Sequence, residues 1–269
     1  MKTEKDLSEL PFDRYGFSAR DTRRHTEAQA HMTRDCMRRL GFEDFPLHPK
    51  TPEYREAAPL IAVAMASYPY GPLDLDSARR WGYGWDPDRS PADAARPEGR
   101  VMTDAEYDAL NGGGRGSAGG GDCGSSGADR LVAGVRDKTR MWTYVSRRSE
   151  IVDKAVAKDR RVRKALATWS RCMGNKGVKR YKTPAHAFQD KAWGRGNDEG
   201  GNTGRTKKEL ATATADVECK REHNTAGVWW AVREEKQRAD VTRHKDAYEA
   251  VRADQDRVRA NAERVLGDR

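Results

Sequence analysis

The stretch Arg160-Arg-Val162-Arg-Lys-Ala-Leu166-Ala-Thr-Trp169-Ser-Arg-Cys172-Met173-Gly-Asn-Lys-Gly177 decides how the chain is to be read. Val162, Leu166, Trp169 and Met173 recur at steps of three and four, which places them on one face of an α-helix. Gly177 is the expected stop, because glycine enters the left-handed conformation that closes a helix without a steric penalty. With the apolar residues facing inward, Arg160, Arg161, Arg163 and Lys164 must spread over the outer faces.

The end of this stretch has an echo earlier in the chain. Cys36-Met37-Arg-Arg-Leu-Gly41-Phe42-Glu-Asp-Phe45 and Cys172-Met173-Gly-Asn-Lys-Gly177-Val178-Lys-Arg-Tyr181 share the pattern Cys-Met-x3-Gly-hydrophobic-x2-aromatic, and a proline follows soon after in both. Each copy reads as a helix end with the cysteine on the apolar face, the glycine as cap, and the aromatic returning from the loop. A later cysteine follows each copy: Cys123 after the first, Cys219 after the second. Four cysteines allow three connectivities. Equivalent halves favour Cys36–Cys123 and Cys172–Cys219. Four buried free thiols are the alternative, and counting alone does not choose.

Outward from these anchors the chain reads as all-α: an irregular helical bundle with glycine-rich loops and a long C-terminal helix. Residues 1–17 read as an extended lead-in. A helix starts at Ser18, with Asp21 completing a capping box, and carries Ala28, Met32, Cys36 and Leu40 on one face before Gly41. Short helices follow over 51–68, through the apolar run Leu60–Ala66, and over Asp74–Trp81. Thr103 and Glu106 form a capping box for a helix over Met102–Leu110. Residues 111–127 hold nine glycines and read as a linker between two loosely repeated halves, 18–110 and 128–266. Helices are then expected over Ala128–Val145, Glu150–Met173, a short segment from Thr183-Pro184, and Glu209–His223. After a Gly/Asn loop at 194–204 and a break near Asn224 or Gly227, one long helix runs to Leu266. Its seam is formed by Val241, Tyr248, Gln255 and Ala262 together with His244, Val251, Val258 and Val265.

The formal net charge is +9, and it is concentrated. Between Arg130 and Lys182 there are 17 Lys or Arg against four acids, Asp137, Glu150, Asp153 and Asp159. Arg160, Arg161, Arg163, Lys164, Lys176, Lys179, Arg180 and Lys182 form the candidate basic patch. A field of this kind attracts polyanions such as nucleic acid, anionic lipid or an acidic wall polymer; the plainer reading is a solvated helix face.

Little else points to chemistry. Gly114-Arg-Gly116-Ser-Ala-Gly119 matches the letters of a dinucleotide fingerprint, but a helix precedes it where a strand is required. No two histidines stand one helical turn apart, and no HExxH occurs, so no metal site is expected. His31 and Asp35 share a face, with Arg34 and Arg38 beside Asp35 as surface ion-pair partners. No nucleophile elbow or P-loop is present. No catalytic residue and no cofactor are expected, and the protein reads as a non-enzyme. The cluster Trp81-Gly-Tyr83-Gly-Trp85 either lines a pocket or packs.

Several segments, taken in order, carry a resemblance: Leu10-Pro-Phe-Asp-Arg-Tyr15, the Cys36–Phe42 segment, Ala78-Arg-Arg-Trp-Gly-Tyr83, Trp169-Ser-Arg-Cys-Met173 and Ala215-Asp-Val-Glu-Cys-Lys220. Over roughly residues 8–266 the chain resembles a group of uncharacterised actinobacterial proteins that are exported and lipoprotein-like. The resemblance implies an extracytoplasmic, disulfide-bonded helical protein and no particular activity. The expected partner is a protein or anionic polymer of the cell envelope. Against this, Met1 to Leu10 is charged and lacks an apolar leader, which taken as written predicts a cytoplasmic protein. The alternative function is therefore a cytoplasmic nucleic-acid-binding protein using the basic 130–182 segment. No apolar run is long enough for a transmembrane helix.

Overall fold

The computed structural model describes residues 8–52, 71–84, 99–112, 123–194 and 205–267. The expected helix through Leu60–Ala66, Trp85, the Gly114–Gly119 motif and all but Gly194 of the 194–204 loop lie outside these residues. Ten helices are described: α1 (Ala19–Arg39), α2 (Leu75–Trp81), α3 (Asp104–Asn111), α4 (Cys123–Leu131), α5 (Lys138–Lys158), α6 (Arg160–Asn175), α7 (Pro184–Phe188), α8 (Lys207–Glu222), α9 (Thr225–Arg243) and α10 (Lys245–Gly267). An isolated bridge pairs Lys50 with Val101, and there is no strand among the described residues. The protein is all-α, as its periodicity predicts, and no described helix is long and apolar enough to cross a membrane.

Capping residues fix where helices begin. Ser18 accepts from the Asp21 N–H while the Asp21 carboxylate accepts from the Ser18 N–H. Thr103 and Glu106 form the same reciprocal pair on α3. Thr183 caps α7 with Pro184 at its first position.

Other boundaries differ from the sequence reading. Cys123–Leu131 is helical, so part of the glycine-rich segment read as linker belongs to α4. The helix expected over 128–145 is interrupted at Gly134, whose φ is +75°. The interruption is stabilised from a distance: Asp254, buried on α10, accepts from the N–H groups of Arg136 and Asp137 at 2.9 and 3.2 Å. The helix expected over 150–173 is two helices, because Asp159 leaves the helical conformation and caps α6 through the Arg161 N–H. The long C-terminal helix is present as α10, but it starts at Lys245: the residues before it form a separate helix, α9, and His244 lies between them.

The described residues form two compact units, each built from separate segments. One comprises 8–11, 71–84, 149–194 and 205–240; the other comprises 12–52, 99–112, 123–148 and 241–267. In the second unit α1 packs against α4 and α10. Phe12 and Tyr15, read from sequence as part of an extended lead-in, are buried, with rings 5.3 and 4.8 Å from Tyr248. Tyr15 closes a short 3-10 turn over Asp13–Tyr15. Gln255, a polar member of the seam, donates to the Tyr15 carbonyl at 2.7 Å. Its place in the core is therefore specified by a hydrogen bond. On α1, Ala28, Met32 and Met37 are buried while Leu40, expected on the buried face, is 58% exposed. Met37 is buried in a separate cluster with Phe45, Met102 and Cys123, whereas Ala28 and Met32 pack with Leu131 and Ala262.

In the first unit α8 is the central element, packed by α2, α6 and α7. Trp169, Met173, Ala213, Val217 and Cys219 are fully enclosed there. Tyr83 is buried among Phe188 and Trp193, at ring separations of 5.8 and 5.9 Å. The Tyr83 part of the aromatic cluster thus packs, and Trp81 lies against the Arg205 guanidinium.

The repeated motif recurs as structure. Phe42 N–H donates to the Met37 carbonyl at 3.1 Å and Val178 N–H to the Met173 carbonyl at 3.2 Å. Gly41 and Gly177 sit at φ +93° and +78°. These are the bonds and the glycine of a Schellman closure. Met37 and Met173 are both fully buried, and the returning aromatics Phe45 and Tyr181 are buried. Each unit also holds one disulfide: Cys36–Cys123 in the second and Cys172–Cys219 in the first, with Cα separations of 5.6 and 5.8 Å. This is the pairing that the repeat favours.

Candidate functional site

Helix α6 is the most strongly basic element of the first unit. Val162, Trp169, Cys172 and Met173 face the core. With about 100° per residue, Arg163, Arg160, Arg171 and Lys164 fall within an arc of about 100° on the opposite side. All four are exposed. Arg160, Arg163 and Lys164 make no ion pair among the described residues, and Arg171 bonds only to Thr168 Oγ1 at 3.1 Å. The stripe runs about 16 Å along the axis, at about 1.5 Å per residue.

Not all of the expected patch is available. Arg161 is bound to Asp159 at 3.1 Å and Glu235 at 2.9 Å. These two carboxylates hold its guanidinium pKa above the ordinary value, and the Arg161 side-chain and backbone donors hold Asp159 well below the usual carboxylate range. Lys176 pairs with Glu218 at 2.9 Å and Lys179 with Asp190 at 2.8 Å. Asp190 is lowered to about 2, chiefly by Lys179. The structure therefore divides the patch: Arg161, Lys176 and Lys179 are neutralised, whereas Arg160, Arg163, Lys164, Arg180 and Lys182 stay exposed without a described acidic partner. Arg171, absent from the sequence-derived set, joins the free stripe. Its signal was the seven-residue step from Lys164, two helical turns on.

A pocket of about 330 Å³ opens beside this face, where the end of α6 meets the end of α8. Thr168, Arg171, Cys172, Asn175 and Lys176 come from α6 and its cap, and Glu222 and His223 from α8. Cys172 Sγ lies 3.9 Å from Glu222 Oε2, and His223 Nε2 lies 3.5 Å from Glu222 Oε1. One potential metal ligand atom from each of the three residues falls within 4.8 Å of the others. Sequence reasoning missed this group because it looked for paired histidines. The legible signal was Cys219 and His223 at one-turn spacing. His31, expected beside Asp35, is 3.2 Å from Glu27, and Glu27 also reaches His48 at 3.3 Å.

The core of the same unit holds a buried polar cluster. Asp216 accepts from Trp169 Nε1 at 3.0 Å, Lys220 Nζ at 2.8 Å and Tyr83 Oη at 3.3 Å. Burial pushes its pKa up, and the Lys220 ammonium opposes that push. Lys220 also donates to the Pro72 carbonyl at 2.9 Å. Every oxygen of Asp216 is engaged by a core donor, so the cluster joins α2, α6 and α8 and positions the helix that carries the cations. Comparison with protein-family models, with curated proteins and with solved structures finds no match for this chain.

Proposed function

We propose that this is a non-enzymatic, disulfide-stapled helical protein of the cell envelope that holds an anionic polymer against the outer face of α6. The observation that carries the reading is the stripe of Arg160, Arg163, Lys164 and Arg171, exposed and without acidic partners among the described residues. Lys176 and Lys179, by contrast, are matched by carboxylates at 2.8–2.9 Å. Cations in a row with free donors neutralise phosphates or carboxylates of a polymer without reading its sequence. Two disulfides support an extracytoplasmic location, since such bonds persist in oxidising compartments. The resemblance to exported actinobacterial proteins points the same way.

The test uses long-chain polyphosphate as probe and measures affinity across a salt series. Binding should weaken steeply with salt. The triple variant Arg160→Gln/Arg163→Gln/Lys164→Gln should bind at least tenfold more weakly and with a shallower salt slope, by roughly one per cation removed. Equal binding by wild type and the triple variant, or no binding at low salt, overturns the reading. Tighter binding to duplex DNA than to polyphosphate at the same salt would replace it with the nucleic-acid reading.

A further inference from the structure

We infer that the pocket at the ends of α6 and α8 is a redox-gated site for a zinc-class divalent cation, formed by Cys172, Cys219, Glu222 and His223 once the Cys172–Cys219 disulfide is reduced. The inference does not rest on polymer binding. Three of the four ligand positions already converge, with a potential ligand atom from each of Cys172, Glu222 and His223 within 4.8 Å of the others. Tetrahedral zinc with sulfur at about 2.3 Å and nitrogen or oxygen at about 2.0 Å places its ligands roughly 3.3–3.7 Å apart. The observed 3.9 Å and 3.5 Å contacts are close to that spacing. The fourth ligand is bonded to the first in the oxidised protein. Cys219 lies one turn before His223 on the same helix, and the His223 N–H donates to the Cys219 carbonyl at 3.1 Å. Cys219 and His223 are therefore stacked on one helical face, the arrangement that lets a helix give two ligands to one ion.

Charge explains the gating. As a disulfide, Cys172 and Cys219 carry no thiolate, and only Glu222 and His223 would face a cation that Arg171 repels. Reduction by a dithiol or by two monothiols breaks the S–S bond. The two electrons and two protons pass to Cys172 and Cys219, and the reductant becomes a disulfide. The metal then displaces both thiol protons to solvent and forms two metal–thiolate bonds. A centre of one divalent cation, two thiolates and one carboxylate carries a net charge of −1, which Arg171 in the pocket lining offsets. The same pair of cysteines would thus close α6 on α8 by a covalent bond in an oxidising compartment and by a metal in a reducing one.

The experiment starts from the oxidised full chain and equilibrates it in glutathione buffers with and without Zn2+ at a fixed free concentration. Each disulfide is read separately by alkylation and peptide mass. At free Zn2+ a hundredfold above the site's dissociation constant, the Cys172–Cys219 equilibrium should shift about a hundredfold toward the dithiol, or ~60 mV for a two-electron couple. The Cys36–Cys123 equilibrium should stay put. Measured from each variant's own zinc-free midpoint, His223→Ala should lose at least nine-tenths of the zinc-induced shift, and Glu222→Gln should lose less. No shift, an equal shift at both disulfides, or a shift that survives His223→Ala overturns the inference. As an independent readout, Co2+ added to the reduced chain should give thiolate-to-metal charge-transfer absorption that His223→Ala weakens; its absence in wild type counts against the site.

Discussion

Trp169 on α6 and Asp216 on α8 are 47 residues apart in sequence and meet in the core, the indole Nε1–H donating to Asp216 Oδ1 at 3.0 Å. Because the same carboxylate holds Lys220 Nζ at 2.8 Å, and Lys220 is as buried as its partner, the network has an asymmetric response to mutation. Asp216→Ala strands a buried ammonium and should cost about 3–5 kcal/mol, whereas replacing the pair together by Asp216→Leu/Lys220→Met should cost markedly less. Urea denaturation of the two variants measures the difference. Equal losses would show that the pair is not coupled.

The Arg100–Glu106 pair sets a pH response in the other unit. Arg100 donates to both Glu106 oxygens at 2.7 and 2.6 Å, and Thr103 adds its N–H and hydroxyl. Arg100 first, and Thr103 after it, lower Glu106 from 4.5 to about 2. A depressed carboxylate pKa stabilises the fold above the unfolded value, and that stability is lost as pH falls through the folded one. Wild type should therefore lose stability between about pH 4.5 and 2 relative to Glu106→Gln, which itself should cost about 1–3 kcal/mol at neutral pH. Thermal unfolding of both proteins across this range is the check.

The two glycine closures should respond alike. An added Cβ at Gly41 or Gly177 meets nothing within 4 Å, so the cost of alanine there is the positive φ alone. Gly41→Ala and Gly177→Ala should each destabilise by about 1–2 kcal/mol. A much larger effect at one of them would show that the two copies are not equivalent closures.

Removing either disulfide should be costly. The cysteines are separated by 87 and 47 residues, for which loop-closure entropy gives about 4–5 kcal/mol each. The double variants Cys36→Ser/Cys123→Ser and Cys172→Ser/Cys219→Ser should therefore differ by less than about 1 kcal/mol in chain entropy. Intact mass after alkylation should show no reactive thiol until reductant is added.

The neutralised members of the basic patch supply a matched control. Lys176→Gln/Lys179→Gln removes two cations that are already paired with Glu218 and Asp190. It should leave the salt slope of polyphosphate binding nearly unchanged, in contrast to the α6 triple variant. A comparable loss in both would mean that overall charge, and not the stripe, governs binding.

The sequence by itself determined the all-α class, the burial of Ala28 and Met32 on α1 and of Val162, Trp169 and Met173 on α6, the capping boxes at Ser18 and Thr103, and both Cys-Met closures. These are decided by residues within about one helical turn of each other, and side-chain periodicity and capping chemistry act over that distance. The repeat also favoured the observed cysteine pairing among three, without excluding the others. Only the tertiary structure decided the rest. The break at Gly134 is supported by Asp254, which accepts from residues 117 and 118 positions away, and no local rule sees that far. Which cations of the patch are free depends on acids such as Glu235 and Glu218, brought in from other helices. The enclosure of Asp216 with Lys220 needs Pro72 and Tyr83, which flank α2, and Trp169 from α6. The convergence of Cys172 with Glu222 and His223 needs two helix ends to meet. Each is a contact across long sequence separation, where packing selects the partner and composition does not name it.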